Sequence, residues 1–161
     1  MTKSDPALRA QLARSLAWEE AHVGFDRAFD GIPPAARGER PAGFDHSVWQ
    51  LLEHMRLAQK DLLAFCGKRY VHALKWPDDY WPKNPAPDAD AAWANSLKSL
   101  KADRHRLARL VRDPKVNLLA KVPTGKPEQT YLRAILLVTD HNAYHLGQVI
   151  DVRKALNIWP A

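Results

Sequence analysis

Apolar side chains recur every three to four residues along four stretches of this chain, and segments dense in proline and glycine separate them. That period marks helices that bury one face. In the first stretch Leu8, Leu12, Leu16 and Val23 share a side. Asp5-Pro6 supplies a cap and a first helical residue, so the spacing predicts a helix running to about Phe29. Gly31, Pro33, Pro34, Gly38, Pro41 and Gly43 then impose a loop. The second stretch carries Val48, Leu51, Met55, Ala58, Leu62 and Phe65, takes Asp45 or Ser47 as its cap, and fades near Cys66-Gly67. Trp93, Leu97, Leu100, Leu107 and Leu110 mark the third, capped by Asp88 or Asp90 and ended by Asp113-Pro114. The fourth, from about Gln129 to Ala155, sets Leu132, Ile135, Leu136, Val138, Leu146, Val149 and Val152 on its apolar positions. Residues Trp76 to Pro87 read WPDDYWPKNPAP, too rich in proline for a helix and too irregular for a strand. The short run from Val116 to Val122 is either extended or a single turn. No strand alternation competes, so the expected architecture is all-α, a four-helix bundle with long connecting loops.

Composition narrows the class without changing that picture. A length of 161 residues implies one domain spanning 1–161, with enough chain for a real core. A hydrophobic share of 46% and a charged share of 26% describe a globular protein and exclude collagen-like and disordered classes. The net charge of +6 raises the question of nucleic acid or anionic membrane as partner. Its densest basic stretch, Lys98 to Arg112, is interrupted by Leu100, Leu107, Leu110 and Val111 at helical spacing and reads as a solvated helix face. Neither nucleic acid nor membrane is therefore an expected partner. Cys66 is the only cysteine; it has no internal disulfide partner and reads as a small buried hydrophobe in a reducing compartment. With no signal-like or membrane-length apolar block, the expectation is a soluble cytoplasmic protein.

Chemistry enters with the histidines. His141 and His145 stand four apart on the last helix, about 40° around it and about 6 Å along it, so both imidazoles reach toward one point. Val138, His145 and Val152 recur at seven residues, as do His141 and Gln148, which puts the pair on the buried seam. His54 repeats the pattern between Leu51 and Ala58. If the second and fourth helices are antiparallel, the three rings meet near one level of the bundle. Unpartnered imidazoles in a core are costly, and a shared cation relieves that cost. Three neutral imidazoles suit zinc, nickel or iron and leave a coordination position open, as in catalytic sites. Affinity for such an ion should fall below about pH 6, where free imidazole protonates. The motif HNAYH sets Asn142 where a zincin carries its glutamate base, which rules out a thermolysin-like protease. His22 reads as a surface or packing residue, and His46, His72 and His105 as solvent-facing. Glu53 and Asp140 each precede a ligand candidate, point about 100° away from it, and read as solvated carboxylates.

On these residues the chain resembles the DinB (DNA-damage-inducible) family and the related YfiT-like metal-dependent hydrolases. The resemblance is carried by HSVWQLLEHMRLAQ from His46, by DHNAYHLGQV from Asp140 and by the KWPDDYWP loop. It implies an up-down-down-up bundle, with a metal held by one histidine of the second helix and two of the fourth, here His54, His141 and His145. It also implies a small-molecule substrate, a low-molecular-weight thiol cofactor and a homodimer. Characterised relatives include transferases and isomerases that use bacillithiol or mycothiol, in which the metal activates a thiol. The family name records induction by DNA damage, not DNA binding. The expected function is that of a metal-dependent enzyme of the thiol-dependent transferase or hydrolase type. In this reading Gln148 supports a ligand, and Trp76, Tyr80 and Trp81 wall the entrance. The alternative is a non-catalytic stress-response or dimerisation bundle whose ion is structural or vestigial.

Overall fold

The computed structural model describes residues 6–160. It contains α1 (Pro6–Ser15), α2 (Phe25–Phe29), α3 (Val48–Phe65), α4 (Asp90–Arg112) and α5 (Tyr131–Ala155), with 3₁₀ turns at Pro34–Gly38 and Asp78–Tyr80. The run from Val116 to Val122 forms turns and ends in an isolated antiparallel bridge between Lys121 and Thr130.

Two apolar clusters fix the course of the long helices. Trp49, Leu52 and Met55 from the start of α3 pack with Trp93 and Leu100 of early α4 and with Leu146, Val149 and Val152 of late α5. Leu62 and Leu63 from the end of α3 join Leu107 and Val111 of late α4 and Ile135 and Val138 of early α5. Thus α3 and α4 run parallel while α5 runs against both. Arg9 donates to the carbonyls of Val111 and Asp113 at 2.6 and 2.9 Å, which sets the start of α1 beside the end of α4. The bundle is all-α with an up-down-down-up course.

Several local expectations are corrected. The first predicted helix is two: it stops at Ser15, and a separate short α2 begins at Phe25. A continuous helix past Leu16 would turn Glu19 or Glu20 inward, and burying an unpaired carboxylate costs more than breaking the helix. Residues 17–22 are instead all exposed. The inward face of α1 is Arg9, Leu12 and Ala13, leaving Leu8 in solvent. Asp5, the expected cap, lies outside the described residues. Of the two expected caps for α3, Ser47 serves, in a reciprocal capping box with Gln50. Neither Asp88 nor Asp90 caps α4; Ala89 occupies that position, and Asp90 pairs with Arg37 from inside the first turn. The basic stretch of α4 is not wholly solvated, since Asp103 and Arg104 are buried and the Arg104 guanidinium lies 4.7 Å over the Phe25 ring. Leu136 is 51% exposed because its neighbour Ile135 takes the core position, about 100° around the helix.

Arg153 ties α2 to α5. Its buried guanidinium donates to the carbonyls of Arg27, Ala28, Asp30 and Ile158 and lies 4.8 Å over the Trp159 ring. Arg153→Met keeps the bulk but leaves those carbonyls without a donor. We expect it to destabilise the fold by about 3 kcal/mol, read as a lower urea midpoint.

Candidate metal centre

The capping box fixes the first turn of α3, and with it the phase of every residue that follows. Ser47, Gln50, His54 and Asp61 then fall at spacings of three, four and seven, along one face. That face grips the proline-rich loop. Ser47 donates to the carbonyl of Pro85, and Gln50 to that of Pro82 at 3.3 Å. Asp61 accepts from the Tyr80 hydroxyl at 2.7 Å and from Tyr70 at 2.9 Å. His54 Nδ1 meets the Tyr80 carbonyl at 2.9 Å. The loop thereby lays Trp81 flat on the His54 ring, with centroids 3.8 Å apart and planes within 2°.

The three predicted histidines come together. A carbonyl only accepts, so His54 carries its proton on Nδ1 and turns Nε2 to the centre. There it lies 3.0 Å from His141 Nε2. His145 Nδ1 donates to the Gln148 side-chain oxygen at 2.6 Å, which leaves its Nε2 available as a donor atom. One nitrogen from each ring lies within 4.8 Å of the others. Tetrahedral zinc with bonds of about 2.0 to 2.1 Å needs nitrogens about 3.3 Å apart, a spacing within that span. His54 and His145 are buried and His141 half-buried. Burial is the main force pushing all three pKa values down to about 4, and repulsion between the rings adds to it. At neutral pH the cluster is three neutral imidazoles, the form that binds a metal. The donor set fits a borderline divalent ion.

Beneath the cluster Asn142 donates to Gln59 at 3.0 Å, and Gln59 donates to the Leu100 carbonyl at 2.7 Å, locking α5, α3 and α4 together. Asn142 thus points into the core and serves no base role. Gln148 supports His145, as expected. Of the loop aromatics, Trp76 and Trp81 line the cavity over the cluster, about 650 Å³ in volume, whereas Tyr80 is buried and acts through its carbonyl and hydroxyl.

His46 is the residue that sequence reasoning missed. Expected in solvent, it is half-buried, stacks on the other face of Trp81 at 3.8 Å and lines the same cavity. Trp81 is therefore sandwiched between His46 and His54. The eight-residue interval from His46 to His54 was the available signal, but His46 precedes the helix, where helical phase says nothing about direction. Glu53 is also corrected: it is buried, and Arg56 holds it through two hydrogen bonds of 2.7 Å. Burial alone would raise its pKa, but hydrogen bonds from Arg56 and Ser96 outweigh that and hold it below the usual range. Asp140 is exposed at the cavity rim. His22, His72 and His105 are exposed and stand apart from the cluster. Cys66 is buried and unpaired, its thiol pushed up to about 11 by burial.

Among the described residues no helix is long and apolar enough to cross a membrane. The family profile of the DinB superfamily matches residues 12–149, a span that includes all three histidines. Comparison with curated proteins and with solved structures returns no match.

Proposed function

The chain belongs to the DinB superfamily, and from that premise we propose that it is a metal-dependent enzyme, of the thiol-dependent transferase or hydrolase type, acting on a small molecule at the three-histidine cluster. One observation carries the proposal: His54, His141 and His145 converge to within 4.8 Å, with two of the rings held by hydrogen bonds from their far nitrogens. A divalent ion such as zinc, nickel or iron would supply Lewis acidity there and lower the pKa of a water or thiol.

The chain's own residues prepare the place. The Tyr80 carbonyl and Gln148 orient the rings and keep their protons off the binding nitrogens. Trp76 and Leu137 line the cavity and present apolar surface to an incoming substrate. Among the described residues, no carboxylate or hydroxyl hydrogen-bonds the three imidazoles. That feature favours the second reading, a non-catalytic bundle with a structural ion.

Chelation separates the two readings. Leu52, Trp93, Leu146 and Val149 pack α3, α4 and α5 together through apolar contacts that need no ion. Zinc-loaded protein assayed on a panel of thiols and esters is expected to lose turnover when chelated and to regain it with zinc, at constant helical circular dichroism. Absence of turnover across the panel, or melting of the helices on chelation, would defeat the enzyme reading.

A further inference from the structure

The chain carries six excess positive charges, yet the charged side chains lining the cavity over the histidine cluster are Asp45, Asp140 and Asp151. No lysine or arginine lines it. Burial is the main cause that lowers the His46 pKa; Asp45 opposes it and the charge of Arg40 adds to it. Asp45 stands on the loop before α3. Asp140 and Asp151 are three turns apart on one face of α5, about 16 Å. All three are exposed, and they are not among the ion-paired acids of the described residues, which are Glu20, Asp26, Glu53, Asp90 and Asp103.

A second feature of the same cavity points to a ligand. Trp76 is 67% exposed and Tyr144 64% exposed, and both line it beside the stacked Trp81. Large aromatic rings left in water beside a cavity are a recognition surface, and ring faces attract cations. A divalent ion at the cluster would bring two positive charges, one fewer than the rim carboxylates supply negative.

Resting on the function proposed above, we propose that this site takes a cationic substrate, an ammonium or guanidinium group borne on an apolar or aromatic body. The carboxylates attract the charge, the aromatic rim takes the body, and the reacting bond is delivered to the histidine cluster. The same field disfavours any thiol or ester rich in carboxylates.

The test uses three weakly metal-binding probes of similar size: benzyltrimethylammonium, benzyl alcohol and benzenesulfonate. Each is titrated into zinc-loaded protein and followed by tryptophan fluorescence. We expect the ammonium to bind at least about tenfold more tightly than the sulfonate, and the preference to shrink in about 0.5 M salt. In the variant D45N/D140N/D151N the preference should fall below about threefold while benzyl alcohol binding holds. Asp151→Asn alone serves as the milder variant should the triple change disturb folding. Equal or tighter sulfonate binding, or a preference that survives in the variants, would overturn the proposal. Zinc content is measured on the same samples: protein without zinc refutes the metal-dependent reading but leaves the charge preference standing, whereas protein with zinc and no preference refutes the substrate class alone.

Discussion

Alanine at His54 or His145 is expected to weaken zinc binding by at least about a thousandfold while the helices stay formed. Losing only an outer hydrogen-bond partner of a metal ligand costs about 10- to 100-fold in affinity. Losing a ligand itself leaves two nitrogens for an ion that takes three or four protein donors. The effect should not be confused with unfolding. His54 is 2% exposed and His145 6% exposed, so truncation opens a cavity and costs about 2 to 4 kcal/mol of stability. The apolar contacts of Leu52, Trp93, Leu146 and Val149 on one side and of Leu107, Val111, Ile135 and Val138 on the other still join the helices. His54→Gln and His145→Gln keep most of the volume and serve as the milder pair. Competition with a chromogenic chelator reads the affinity, and circular dichroism reads the helices. Variants that bind zinc within tenfold of the parent would show that these rings are not ligands.

Zinc affinity is expected to stay nearly level from pH 7.5 down to pH 5. Three imidazoles with ordinary pKa values near 6.5 would lose more than about 10⁴-fold over that interval through proton competition. With the three values pushed down to about 4, mainly by burial, the loss stays below about tenfold, and steep weakening begins only near pH 4. The threshold of pH 6 expected from free imidazole is therefore corrected downward. The same shifts set the stability of the metal-free chain. Between pH 6.5 and about 4 the unfolded chain takes up protons that the folded one refuses. Stability is then full above pH 6.5 and declines as the pH falls toward 4. Urea midpoints of metal-free protein at pH 7.5, 6 and 5 should fall in that order, and His54→Gln should flatten the trend. A midpoint that rises on acidification, or an affinity that collapses at pH 6, would contradict the buried neutral cluster.

The heart of this site was legible because helical periodicity is a strong signal over long segments. His54 among Leu51 and Ala58, and His145 among Val138 and Val152, share the phase of their apolar neighbours, and all four of those neighbours pack inward. Periodicity failed where the chain leaves the helix. His46 lies one residue before the α3 cap, and its direction is set by stacking on Trp81, a residue 35 positions away. Tyr80 looked like a wall, but its carbonyl holds His54, and backbone groups carry no sequence signature. Helix one broke after Ser15 because Glu19 and Glu20 fall where apolar residues were needed. Buried charge was the other blind spot. Arg9, Arg153 and Glu53 are all buried, each paid for by backbone carbonyls or by a neighbouring guanidinium that no local pattern reveals.

X-ray absorption at the metal edge of the zinc-loaded protein tests the central claim, because it reads the coordination shell itself. Convergence of His54, His141 and His145 on one ion predicts three imidazole nitrogens at about 2.0 to 2.1 Å, with the outer-ring scattering of imidazole and any further ligand a light atom. Two or fewer imidazoles, or a sulfur near 2.3 Å, about the zinc–thiolate distance, would contradict it.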